Sequence, residues 1–177
     1  MDKEVIERAK DGDETAMSEI YDFYKDYVLR SSFLMLRNRE EAEDVSENVF
    51  LKTFTHMNSF DIERDFKPWL SRIILNESRN YLRKYRNNSS TKIDEEQQIS
   101  NFNLPNEKVI DLKTSINKLS TGDRELVTLR FYQELTIEEI SKILKIQKNT
   151  VKVRIHRAMK KLKEYLKNVW WRKRLSK

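Results

Sequence analysis

The side chains best suited to chemistry in this sequence are gathered in KNTVKVRIHRAMKKLKEYLK, residues 148–167, which holds eight Lys or Arg and one His. Asn149, Thr150, Lys152, Arg154, His156, Arg157, Lys160 and Lys161 can donate to base edges or neutralise phosphates. Val153 adds an apolar contact of the kind that meets a thymine methyl. This is binding chemistry rather than bond-breaking chemistry. A cationic helix face is ordinarily just solvated, but such faces interleave Glu with Lys for i,i+4 pairing. Residues 148–163 contain no acid at all.

Two further sets share helical spacing. Arg72, Asn76, Arg79, Arg83 and Arg86 recur at steps of four, three, four and three, with Asn80 and Tyr81 beside them. The plain reading is a solvated stripe, but interleaved Asn and Tyr bring hydrogen bonding and stacking, which suits nucleic acid. The other set has the opposite sign. Asp44, Glu47, Asn48 and Leu51 fall at i, i+3, i+4 and i+7, an acidic strip with a leucine in it. DNA is repelled from such a face. It suits a protein partner, or is idle. Between these sets lies the loop NSFDIERDF, with Asn58, Ser59, Phe60, Asp61, Ile62 and Arg64. It reads either as a connector folded over the core or as a pocket that grips an unstacked base.

Catalytic constellations are not expected. His56 and His156 stand alone, cysteine is absent, and the carboxylates of Glu40–Glu47 share one helix without an obvious partner for Mg²⁺. No metal, cofactor or small-molecule substrate is implied. The lack of cysteine suits a reducing cytoplasm. No apolar run approaches a membrane span, and MDKEVIERAK does not read as a signal peptide.

Positioning these residues falls to helices. With two glycines and two prolines in 177 residues, the chain has little turn chemistry for hairpins, so an all-α protein is expected. Charge divides it. Residues 1–86 hold 15 Lys+Arg against 18 Asp+Glu, a net −3; residues 87–104 carry −2; residues 105–177 hold 19 against 8, a net +11. The basic part has the electrostatic footprint of a nucleic-acid binder. Two small helical domains, 1–86 and 105–177, are therefore predicted, joined by a flexible Asn/Ser/Glu/Gln-rich linker at 87–104.

In the first domain, a helix over 2–10 ends near Gly12, and Asp13 caps a helix running to about Arg37 with Ala16, Ile20, Phe23, Tyr27 and Leu34 inward. Helix 40–57 turns Ala42, Val45, Val49, Phe54 and Met57 inward, and helix 67–86 is anchored by Trp69, Ile73 and Ile74. In the second, helices are predicted near 106–118, with Pro105 before the first turn, then 121–133, 137–144 and 149–168. Thr136 and Glu139 form a capping box, and about four residues separate Leu144 from the basic helix. A short capped helix, a tight turn and a longer basic helix make a helix-turn-helix, with Val151, Ile155, Ala158 and Leu162 packed inward.

Taken together, GDETAMSEIYDFY, REEAEDVSENVFLKTF, FKPWLSRIILNESRNYLRKYR and LTIEEISKILKIQKNTVKVRIHRAMKKL resemble the extracytoplasmic-function sigma factors of bacteria. The resemblance covers roughly 10–86 and 105–166. It implies a promoter-specificity subunit of RNA polymerase rather than an enzyme. Region 2 would be residues 1–86 and region 4 residues 105–177. Asp44, Glu47, Asn48 and Leu51 match the segment that docks on the β′ coiled coil of core polymerase, and region 4 meets the β flap. The loop Asn58–Arg64 matches the one that captures a flipped base of the −10 element, and Arg72, Asn76, Arg79, Asn80 and Arg83 match the helix that meets the −10 region. Asn149 to Lys161 match the −35 recognition helix. An anti-sigma factor, often membrane-bound in the family, is a further implied partner.

The sequence departs from the family pattern at Glu47-Asn48, where QE is usual, at Lys145 and Gln147, where Gly and a Ser cap are usual, and at Asn149 and Val153, often Gly and Ser. The rival readings are an ordinary helix-turn-helix regulator that binds duplex DNA without polymerase, a nucleic-acid enzyme, and a membrane-surface role for the tail WWRKRLSK.

Overall fold

A computed structural model describes residues 1–86, 115–116 and 118–175, with side chains to Tyr85 in the first part and to Lys167 in the last. The predicted linker, Pro105 and most of the helix expected near 106–118 lie outside the described residues. The chain is all-α and divides into two compact units, Met1–Thr91 and Lys92–Lys177.

In the first unit, α1 (Lys3–Lys10) is capped by the Asp2 carboxylate, which accepts from the Glu4 N–H. Asp13 caps α2 (Glu14–Leu36) by accepting from the Thr15 and Ala16 N–H groups. Arg37 then ends α2 in the left-handed region at φ 71°, where glycine would be the unstrained choice. Asn38 caps α3 (Arg39–Thr55), and a 3-10 turn (Met57–Ser59) leads through a loop to α4 (Phe66–Tyr81) and a closing π turn (Leu82–Arg86). Pro68 sits inside the first turn of α4. There its missing N–H falls among donors that have no partner in the helix anyway.

The core of this unit differs from the predicted one by local rotations. Phe23 is 62 % exposed, and its neighbour Tyr24 takes the inward place in the series Ala16, Ile20, Tyr24, Val28. Tyr24 is drawn inward by the Phe66 ring of α4, 5.4 Å away. Tyr27 and Leu34 are half-buried. On α3 Phe50 is buried and Phe54 half-buried, while Ala42, Val45, Val49 and Met57 are inside as expected. On α4 the burial falls on Phe66, Leu70, Ile74 and Leu75, with Trp69 and Ile73 at its edge. Buried Ser46 and Thr53 donate their hydroxyls to the carbonyls of Ala42 and Val49, so neither is left unsatisfied inside the bundle.

In the second unit, Ser120 caps α5 (Thr121–Val127), which passes into a π turn (Thr128–Tyr132) closed by the Gln133 N–H on the Thr128 carbonyl. Thr136 and Glu139 form the predicted reciprocal box at the head of α6 (Ile137–Leu144). The connection to α7 is three residues, Lys145–Gln147, one fewer than predicted. Helix α7 (Lys148–Leu175) runs seven residues past its predicted end at 168. Lys145 adopts φ 55°, ψ 44°, and the N–H groups of Lys145 and Ile146 both donate to the Ser141 carbonyl. Ile140 from α6 and Val151, Ile155, Ala158 and Leu162 from α7 are buried, along with Leu119, Leu126, Leu129 and Leu135. Also on α6, Ile137, Ile143 and Leu144 are half-buried. The side chains of Trp170 and Trp171 lie outside the described residues.

Candidate nucleic-acid interface

Burial of Val151, Ile155, Ala158 and Leu162 fixes which side of α7 faces outward. Asn149, Thr150, Lys152, Val153, His156, Arg157 and Lys160 are all exposed, and Val153 is 49 % exposed on that wet face. Two expected contact residues turn elsewhere. The Lys161 ammonium pairs with the Asp123 carboxylate of α5 at 2.7 Å. The Arg154 guanidinium lies beside Gly122, where an added Cβ would meet it at 3.0 Å. The Asp123 carboxyl is pushed up by burial, but hydrogen bonds from Lys161 and Ser120 outweigh this and hold it below its usual value. The same contact raises Lys161. At the head of α7, Lys148 pairs with Glu138 of α6 at 2.9 Å and Lys142 approaches the same carboxylate at 3.5 Å. Lys148 first, then Lys142, lowers the Glu138 carboxyl. These pairs hold α7 to its supports.

On α4, burial of Leu70, Ile74 and Ser78 leaves Arg72, Asn76, Arg79, Asn80 and Arg83 exposed together. A hydrogen-bonded chain runs through them. Lys52 of α3 donates to Glu77 Oε1 at 2.6 Å, Asn80 Nδ2 donates to the same oxygen at 3.2 Å, and Arg83 donates to Asn80 Oδ1 at 3.0 Å. These residues, with His56, line a cleft of about 530 Å³ between α3 and α4. Glu77, Lys52 and His56 were missed in sequence because each looked like an isolated surface residue on its own helix. The Tyr81 and Tyr85 rings, 4.5 Å apart and tilted by 31°, flank an adjoining cleft.

The loop after α3 is built around Phe60. That ring was expected on the loop's contact surface. It is only 3 % exposed, wedged against Phe66 and Trp69 at 5.4 and 5.0 Å. Phe60 therefore anchors the loop, because a large aromatic gains more from core burial than from solvent. Asn58, Ser59, Asp61 and Arg64 remain exposed and Ile62 is half-buried. Asp61 accepts from the Glu63 N–H and the Arg64 side chain, which gives the loop a fixed turn. From α1, Lys10 donates to the Phe60 carbonyl at 2.6 Å and Lys3 pairs with Glu63 at 2.7 Å.

On α3, Asp44, Glu47, Asn48 and Leu51 are exposed along one strip, with Leu51 at 65 %. The unit thus carries an acidic face ending in an exposed leucine on α3 and a cationic, Asn-bearing face on α4. Among the described residues no cluster of His, Asp or Glu is disposed to hold a metal ion, and no helix is long and apolar enough to cross a membrane.

Residues 20–88 match the family described as Sigma-70 region 2, and residues 110–162 match Sigma-70, region 4. The ECF RNA polymerase sigma factor SigW of Bacillus subtilis is 33 % identical over 186 residues, covering 96 % of this chain and 98 % of its own. The fold is similar to CnrH in its complex with the cytosolic domain of CnrY, at TM-score 0.71 and 22 % identity, covering 94 % of this chain and 97 % of that one. It is also similar to the sigma factor RpoE of Bartonella quintana in complex with the anti-sigma factor NepR, at TM-score 0.70 and 23 % identity, covering 85 % and 96 %. The chain belongs to the ECF sigma factors. It is an alternative sigma factor of RNA polymerase.

Proposed function

We propose that this sigma factor docks on the β′ coiled coil of core polymerase through Asp44, Glu47, Asn48 and Leu51 of α3. Region 4 contributes a second contact with the β flap. Residues 1–86 act as region 2 and residues 105–177 as region 4. The face of α7 bearing Asn149, Thr150, Lys152, Val153, His156, Arg157 and Lys160 reads the −35 element. Arg72, Asn76, Arg79, Asn80 and Arg83 meet the −10 region, and the loop 58–64 captures a base flipped from it. Extruding a base costs a few kcal/mol, so a pocket for that base holds the melted strand open. The protein performs no bond chemistry itself, works in the cytoplasm where polymerase and DNA are, and is held in check by an anti-sigma factor, membrane-bound as is common in the family.

The observation that carries this reading is the presence, in one small unit, of an exposed acidic strip that ends in Leu51 and a separate exposed Arg/Asn face on α4. A regulator that binds duplex DNA alone has no use for both. The test is binding of the full chain, with and without core polymerase, to a fork-junction DNA carrying a single-stranded −10 segment. A complex that needs core, and is lost in Leu51→Lys, is expected. Tight binding to duplex operators by the chain alone, with no complex on core, would defeat the proposal.

A further inference from the structure

Asn80 is held from two sides by groups that leave its amide no choice of orientation. A carboxylate only accepts hydrogen bonds and a guanidinium only donates them. Glu77 Oε1 at 3.2 Å must therefore face the amide nitrogen, and the Arg83 guanidinium at 3.0 Å must face the amide oxygen. Glu77 is itself pinned: its side chain is 12 % exposed, and Lys52 of α3 donates to the same oxygen at 2.6 Å. Asn80, exposed at the surface, is left with one N–H and one oxygen lone pair to meet a partner. They stand in a fixed order, donor toward Glu77 and acceptor toward Arg83.

The geometry points to Glu77 as the positioning residue that sets base preference in the −10 element, by locking the order in which Asn80 presents its donor and acceptor. This rests on the reading that α4 meets the −10 region. A base edge offers a donor and an acceptor in an order that differs from base to base, so an amide free to flip accepts more bases than an amide that is locked. Glu77 touches no DNA in this arrangement; it acts through Asn80. Lys52 adds a second consequence. It lies one residue from Leu51, so the lock spans from the polymerase-facing helix to the DNA-facing one.

The experiment uses the full chain with core polymerase and a pool of fork-junction DNAs randomised across the −10 segment, with base preference read from the bound fraction. Wild type is expected to prefer particular bases at the position Asn80 meets. Glu77→Leu flattens that preference by about three- to tenfold, the worth of one hydrogen bond's discrimination. Glu77→Gln retains it, because the Gln oxygen can still accept from both Lys52 and Asn80. A merely structural role for Glu77 would lower affinity for all sequences alike and leave the preference intact. Asn80→Ala separates the two layers of the argument. If Asn80→Ala flattens one position and Glu77→Leu flattens none, the positioning role is overturned while the −10 reading stands. If Asn80→Ala leaves every position unchanged, the −10 reading of Asn80 fails and the inference falls with it.

Discussion

Asn149 and Lys160 leave α7 on the same outward face but should fail in different ways. Lys160 is a long cation late in the helix and suits a phosphate. Lys160→Ala is expected to weaken promoter binding evenly across −35 sequences and to reduce the slope of log affinity against log salt by about 0.9. Asn149, near the helix start, suits a base edge, so Asn149→Ala should relax preference at one −35 position by about 1–3 kcal/mol and leave the salt slope alone. Binding measured over a salt series on a small panel of −35 variants separates the two. Asp123 gives a pH prediction. Its folded-state carboxyl is held below its usual value, so its stabilising contribution is present at neutral pH and is lost as pH falls through that lowered value. Asp123→Asn should therefore lower Tm near neutral pH and make no difference in strong acid, as followed by circular dichroism. At this scale the sequence was only partly legible. Periodicity places α7's outward residues well, because a single buried stripe defines the rest. It misplaces Phe23 against Tyr24, and it says nothing of Phe60 in its loop, because both depend on aromatic partners from α4. Glu77 was invisible because its meaning comes from Lys52, twenty-five residues away on another helix.

At the scale of elements, caps were the most readable signals. Asp13, Ser120 and the Thr136–Glu139 box all act where their residue types predict, since a cap depends only on its own turn. The helix ends at Leu82–Arg86 and Thr128–Tyr132 were not readable, because a π turn is rare and residue types carry no distinctive signal for it. The role of α1 was hidden as well. By residue type it is an ordinary amphipathic turn, yet Lys10 and Lys3 tie it to the loop 58–65 from fifty and sixty residues away. Lys10→Met keeps the aliphatic stem and removes the donor to the Phe60 carbonyl. It is expected to speed dissociation from single-stranded −10 DNA about threefold or more, on the basis of one lost hydrogen bond, with −35 duplex binding unchanged. Stopped-flow dissociation from fork and duplex probes would check both halves.

For the whole molecule, the net −3 of residues 1–86 against the +11 of residues 105–177 is legible in the sequence, and so is the all-α class. Neither depends on which residue touches which. Under the proposed function the consequence is a division of labour in which each unit binds its own half of a promoter. With both halves engaged on one polymerase, the second contact becomes intramolecular. A promoter with both elements should bind the holoenzyme about a hundredfold or more tighter than one with either element scrambled. Filter binding of the three DNAs at fixed salt measures this directly.

Three helix-ending positions, Arg37, Glu134 and Lys145, carry positive φ without being glycine. Each substitution to Gly is expected to raise stability by up to about 1 kcal/mol, read as a shift in Tm. Arg37 belongs to the first unit, and Glu134 and Lys145 to the second. Gains at well-separated positions should add. In a cell, 1–2 kcal/mol of stability changes the steady-state amount of a protein about several-fold. These turns therefore offer a way to tune how many copies compete for a limited pool of polymerase, at backbone positions outside the proposed promoter- and polymerase-contact residues.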